Sequence, residues 1–246
     1  DFRKKQTRVI GLTATPGRGS GKSLENEKLA SFFDNKIIGI DSKDLGVIAY
    51  LQRKNILSRC IRKPLKTNIQ YTLTKKEWET LSKSYEREYP EGFLERVAND
   101  NRRNAIILLR LIELSKESKH ILVFGASKKQ SKLLCGLLIA LNYSAVHVDG
   151  NTPSTYRKDV VEKFKEGKIQ FIFNYGVFTT GFDSPNIDAV VIARPTTSIV
   201  LYGQMIGRGM RGFEINGTKE FKLIDVVDEI ITEYSGLDNV YEFFSE

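Results

Sequence analysis

A chain of 246 residues with 41% hydrophobic and 28% charged side chains is composed like a globular protein, long enough for one large domain or one domain and part of another. Lys and Arg outnumber Asp and Glu by 38 to 30, and the net charge of +8 favours a polyanionic partner, although a generically basic protein would carry the same excess. Two cysteines, two histidines and no apolar run of membrane-spanning length exclude a Cys/His zinc site and a bilayer helix, and predict a reducing, cytoplasmic setting with Cys60 and Cys135 as structural thiols.

The first residues, DFRKKQTRVIGLTATPGRGSGKS, carry a short strand signal over Val9–Leu12, then a polar Thr-Ala-Thr-Pro turn and three glycines. That is the pattern of a domain's last strand. Residues 24–33 and 44–53 have apolar side chains at helical intervals and read as two short helices of a linker. Asn55–Tyr71 predicts one or two strands. Thr74–Asn104 is strongly charged and reads as solvated surface helices broken at Pro90-Glu91-Gly92.

A βα rhythm follows. Helices are predicted at 105–114, 130–141 and 153–165, the last with Pro153 at its first turn. Strands are predicted at 121–124, 145–148, 169–173, 189–192 and 221–226. Short, continuously apolar strands between helices predict an α/β fold with a parallel sheet covered on both faces. In such sheets ligands lie at the carboxyl ends of the strands, so the loops after Phe124, Val148, Phe173, Ile192 and Val226 rank first as sites.

Three stretches carry chemistry. Gly21-Lys22-Ser23 resembles the end of a phosphate-binding loop, but Pro16 stands where that pattern needs its first glycine, and a glycine-rich turn is the better reading. In TTGFDSP, Thr179, Thr180 and Gly181 offer two hydroxyls and open backbone to a phosphate, and Asp183 offers an acceptor to a sugar hydroxyl; an ordinary polar crossover turn would look alike. In GQMIGRGMR, Gln204, Arg208 and Arg211 fall at i, i+4 and i+7, one face if the segment is a helix. Two forked cations and an amide there suit a cluster of anionic oxygens such as a triphosphate, with Gly207 and Gly209 allowing close approach.

LTATP, ILVFGAS, NYGVFTTGFDSPNID and QMIGRGMR, in this order, resemble the later motifs of superfamily 2 helicases and translocases, closest to the restriction-enzyme and DNA-repair branch. The resemblance runs from residue 9 to about residue 226. It implies a RecA-like fold: residues 1–54 would be the C-terminal edge of a first RecA-like domain with its linker, and 55–246 a second, complete one. It also implies ATP bound between the two domains, with magnesium held mainly by the first. Thr13, Ala14 and Thr15 match the motif that couples nucleotide to nucleic acid. Phe124, Gly125 and Ser127 match a motif on the nucleic-acid side, and Thr179 and Thr180 lie in a further nucleic-acid loop. Gly181 and Asp183 match positions near the nucleotide and its ribose. Gln204, Arg208 and Arg211 match the motif whose arginines reach the γ-phosphate.

Two departures stand out. Neither a phosphate-binding loop nor a DExH/D box occurs in these residues, and Asn174-Tyr175-Gly176 replaces the Ala-Thr-Asp of many relatives. The expectation is therefore the C-terminal portion of an ATP-dependent helicase or translocase acting on nucleic acid, DNA in preference to RNA, inactive as a fragment. A nuclease or methylase partner would fit the restriction-type context. A non-catalytic nucleic-acid-binding module is the alternative, and a small-molecule kinase built on GSGKS a distant third.

Overall fold

The computed structural model describes residues 24–40, 46–84, 88–177 and 186–232. The expected strand at Val9–Leu12, the Thr13–Thr15 loop, the GSGKS turn and Thr179, Thr180, Gly181 and Asp183 lie outside the described residues.

The continuous apolar runs become the middle of a parallel sheet. Strands β3 (Ile121–Phe124), β5 (Phe171–Tyr175) and β6 (Ala189–Ile192) are flanked by β4 (Ala145–Asp149) on one side and β7 (Glu220–Ile231) on the other. Two further strands, β1 (Arg59–Arg62) and β2 (Leu65–Thr72), run along the outer edge of β7, giving the order β1-β7-β6-β3-β5-β4 with every pairing parallel. All four residues of β3 and of β6 are buried, because helices cover both faces. Ile121 and Val123 face α5 (Asn101–Ser115) and α6 (Lys128–Ala140), packing with Ile107, Leu111, Leu134 and Leu138. Leu122 and Phe124 point the other way, onto α7 (Ser154–Lys165) and α8 (Ile199–Ile206), where Val160, Phe164, Tyr202 and Met205 meet them. The period-2 alternation of side chains thus feeds two apolar layers at once.

β1 and β2 act as one edge ribbon. Arg62 pairs with Leu223 and Leu65 with Val226, so the register survives Pro64, which has no amide to donate. It then shifts between Lys66 and Gln70, where Asn68 takes a left-handed φ of 54° and forms a bulge. This ribbon explains why β7 outruns its predicted limit at Val226. Its second half pairs only with β2, and Asp228 and Glu229 there hide the strand from a hydrophobic pattern.

The charged stretch after β2 departs from its reading as purely solvated helices. Here α3 (Lys75–Lys83) starts at Thr74, whose hydroxyl and the Glu77 carboxylate form a reciprocal capping box. After Pro90, α4 (Glu91–Ala98) buries Phe93, Leu94, Val97 and Ala98. Phe93, Leu94 and Val97 join Tyr71, Leu73, Leu81 and Tyr89 in a third apolar cluster against β2, while the lysines stay outward. Asp100 then caps α5 by accepting from the Arg103 amide, starting that helix four residues before its predicted Ala105. Among the described residues no helix is long and apolar enough to cross a membrane. Burial pushes both cysteine thiols up to about 11, in line with a structural role.

Candidate nucleotide and nucleic-acid site

The two groups of candidate residues sit at opposite ends of the sheet. At the carboxyl end, β3 stops at Phe124, and the amide of Gly125 donates to the Asn174 carbonyl at 3.0 Å. A β-carbon on Gly125 would stand 3.0 Å from that of Ser131, so the glycine lets α6 approach the strand end. Ser127 caps α6, its hydroxyl accepting from the Gln130 amide at 3.1 Å. The Gln130 side chain accepts from the Ala126 amide and donates to Asn104. Gly125 and Ser127 are therefore buried within a network, and beside this turn α6 offers the exposed Lys128, Lys129 and Lys132 to solvent. Three cations at a helix N-terminus suit phosphate oxygens, though they carry no sequence readout.

Below this turn lies a set of residues that the sequence did not mark. Ser131 Oγ is 2.8 Å from His147 Nδ1, and His147 Nε2 is 3.3 Å from Asp149 Oδ2. The order Ser-His-Asp is that of a nucleophilic triad, but Ser131 is fully buried and its hydroxyl meets no solvent. The set instead ties α6 to the turn after β4, where Asp149 also accepts from the Asn151 amide. Asn174 is buried as well, donating to the Val123 carbonyl at 3.0 Å, with its side-chain oxygen unbonded.

Burial holds the imidazoles of both His147 and His120 below the ordinary histidine value near 6.5. The folded chain thus refuses protons that the unfolded chain accepts. Stability from this source is fully present above about pH 6.5 and declines as the pH falls through that value. Chemical denaturation between pH 7.5 and 5.5 is expected to show a falling midpoint, with the decline reduced in His147→Gln; a midpoint independent of pH in this window would refute the assignment.

At the other end, α8 begins at Ser198, which caps it by accepting from the Leu201 amide, and runs back down the sheet. Tyr202 is fully buried and donates to Asp225 Oδ1 at 2.8 Å, while Arg62 Nε donates to Asp225 Oδ2 at 2.7 Å. Burial pushes the Asp225 carboxyl above its usual range, and these two donors oppose that push. The helix ends at Ile206 with Gly207 as its C-cap. Gln204, Arg208 and Arg211 consequently do not share one helical face, contrary to the expectation from their spacing. Gln204 is on the last turn of α8, Arg208 follows the cap, and Arg211 has left the helix to form an antiparallel bridge with Leu57. The physical reason is the capture of residues 210–218 by the chain entering β1: Ser58 N donates to the Met210 carbonyl and Gly212 N to that of Ile56.

The glycines of this motif are also placed differently from their expected role in approaching a ligand. A β-carbon on Gly209 would fall 2.3 Å from the Phe221 ring, and one on Gly207 3.1 Å from the Gly203 carbonyl. Both let the protein pack on itself. The Arg211 segment lies at the level of Lys219, and Phe124 at the level of Asp225. At the rise of a strand this separates the arginines from the Gly125–Ser127 turn by about 20 Å along the sheet. The rule that ligands collect at the carboxyl ends of the strands therefore covers only one of the two groups.

Residues 103–212 match the family described as Helicase conserved C-terminal domain. This stretch is thus similar to the C-terminal domain of helicases. Over 120 residues, 48% of its length, the chain is 35% identical to IRC3 of Saccharomyces cerevisiae, which is provisionally named an ATP-dependent helicase. It is 30% identical over 120 residues, 46% of the chain, to the DEAD-box ATP-dependent RNA helicase 31 of Oryza sativa subsp. japonica. These matches span 17% and 22% of those relatives' own lengths. A fragment structure from Vibrio vulnificus, provisionally assigned to the HsdR subunit of a type I restriction enzyme, superposes with a TM-score of 0.57 over 87% of this chain and 42% of that one. Its 17% identity makes this a likeness of fold.

Proposed function

We infer that this chain supplies one wall of an ATP site and part of a nucleic-acid track in a superfamily 2 helicase or translocase. In this reading ATP binds between residues 55–246, a second RecA-like domain, and a first RecA-like domain of which residues 1–54 are the edge and linker. Arg208 and Arg211 stabilise the charge that develops on the γ-phosphate, Gln204 orients it, and Gly181 and Asp183 lie against the nucleotide and its ribose. Thr13, Thr15, Thr179 and Thr180 line the nucleic-acid path, and the buried Gly125 and Ser127 contribute by shaping the turn from which the α6 lysines reach phosphates. The observation that supports this most is the firm anchoring of the Arg211 segment, which presents a guanidinium from backbone held on both sides. That is the preorganisation that electrostatic catalysis needs.

The cations of this site fit phosphate oxygens and not a metal ion. Among the described residues no His, Cys, Asp and Glu cluster is placed to hold one. In the reading that the motifs imply, magnesium is held mainly by the first RecA-like domain. The nucleic acid is taken to be DNA because of the motif wording TTGFDSPNID, and a nuclease or methylase partner belongs to the same reading.

Residues 1–246 alone are expected to bind nucleic acid weakly and without sequence preference, and to show no magnesium-dependent, nucleic-acid-stimulated ATP hydrolysis. A binding titration at about 50 and 200 mM salt should show affinity falling steeply, as release of counterions from phosphates demands. ATP turnover by these residues alone would refute the half-site reading, and salt-independent binding would refute the phosphate-led track.

A further inference from the structure

Ser58 lies five residues beyond the end of α2 (Val47–Arg53), in the short strap that leads into β1, and nothing in its local sequence marks it. It is fully buried. Its hydroxyl proton is shared between the carbonyls of Arg211 and Thr218, and Thr218 Oγ1 lies 3.2 Å away. The same two residues close a loop, because the Thr218 amide donates to the Arg211 carbonyl at 3.0 Å and Gly217 N to the Gly212 carbonyl at 2.9 Å. One side chain from 153 positions earlier thus fastens both ends of the loop that begins at Arg211.

We propose that Ser58 is the positioning residue for Arg211, setting where its guanidinium stands relative to the γ-phosphate. This rests on the phosphate-stabilising role of Arg211 given above. The strap and the loop are fitted to each other with no space between them. Leu57 bridges Arg211, Glu214 N donates to the Asn55 carbonyl at 3.1 Å, and a β-carbon on Gly212 would stand 2.1 Å from that carbonyl oxygen. On the other side of the strap, Gln52 of α2 donates to the Ser58 carbonyl at 3.4 Å, and the amides of Ile56 and Leu57 both donate to the Leu51 carbonyl. The strap is therefore hydrogen-bonded to α2 at one end and to the arginine loop at the other. A shift of α2 reaches Arg211 through Ser58 and its neighbours, without passing through the sheet. Because a displacement of about 1 Å of a catalytic group costs on the order of a hundredfold in rate, a single misplaced carbonyl at Arg211 suffices to be seen.

The test is a double-mutant comparison in the full-length protein, reading nucleic-acid-stimulated ATP hydrolysis. Ser58→Ala is expected to lower kcat by about ten- to a hundredfold with KM for ATP little changed. Ser58→Cys, of similar size and with a weaker donor, should lose less than Ser58→Ala. Added to Arg211→Ala, Ser58→Ala should cause no further loss, because the group it positions is gone. Hydrogen exchange should show faster exchange at the amides of Gly212 and Thr218 in Ser58→Ala, with β3 and β6 unaffected. A kcat within twofold of the parent in Ser58→Ala, or losses that multiply in the double variant, overturns the proposal. If Ser58→Ala does not fold, Thr218→Val takes its place, with a smaller loss and the same non-additivity expected. Full ATPase in Arg211→Ala would instead overturn the role of Arg211 itself, an outcome distinct from a failure of Ser58 alone.

Discussion

Arg211→Ala in the full-length protein is expected to reduce nucleic-acid-stimulated ATP turnover by about 10³-fold or more, the effect of removing an arginine that stabilises a phosphoryl transition state. The loss should appear in kcat far more than in KM for ATP, because in the proposed role the cation meets charge that develops only as the γ-phosphate bond breaks. Lysine at this position should recover little. A guanidinium holds a fixed fork of donors, whereas an ammonium is a single point charge on a flexible stem. The fold should survive the change, since Arg211 is half-buried and its segment is held by backbone bonds to Leu57, Ser58 and Thr218. Comparing kcat, KM and the unfolding midpoint of parent and variant checks all three points. Turnover within tenfold of the parent would remove Arg211 from the chemistry.

Asp228→Ala is expected to destabilise the protein by about 3–5 kcal/mol, because it leaves a buried cation without its counter-ion. Arg103 on α5 is 0% exposed and Asp228 on β7 1% exposed, with Arg103 Nε 2.9 and 3.0 Å from the two carboxylate oxygens. Arg103 Nη2 also donates to the Ala193 carbonyl at 2.9 Å, and Thr67 Oγ1 donates to Asp228 at 2.6 Å. The pair therefore joins α5, the far half of β7, the end of β6 and the β2 ribbon. Replacing both partners, Arg103→Met with Asp228→Leu, should recover most of the loss, since two apolar groups leave no charge uncompensated. Urea unfolding, compared at equal slope, distinguishes the two variants. A loss below about 1 kcal/mol in Asp228→Ala would mean that Arg103 finds water and behaves as a surface ion pair.

The central strands were legible because both their faces are covered. ILVF at 121–124 and AVVI at 189–192 have no polar position to spoil the signal, and both are strands with the predicted limits. The ends of the sheet were less legible. The far half of β7 is held by β2 and by the buried Arg103–Asp228 pair, so Asp228 interrupts the apolar pattern although it is interior. The reading of 74–104 as surface helices broken at Pro90 is correct, but it misses their buried face for a similar reason. Charged residues outnumber apolar ones there, yet Phe93, Leu94 and Val97 alone suffice to seat α4 against Tyr71 and Leu81.

By itself, the sequence determined the helicase-like order of motifs, the parallel sheet with helices on both faces, and which two arginines to propose for the site, since each depends on residue type and order along a short stretch. Only the tertiary structure decided how those arginines are carried. Spacing placed Gln204, Arg208 and Arg211 on one helix, but Gly207 ends that helix and the strap at residues 55–58 pulls Arg211 into a bridge. Helical spacing describes neighbours within a single element, whereas the partner that fixes Arg211 comes from the opposite edge of the chain's path. Pairing of that kind is set by packing and hydrogen bonding across the sheet edge, and leaves no periodic trace in either segment.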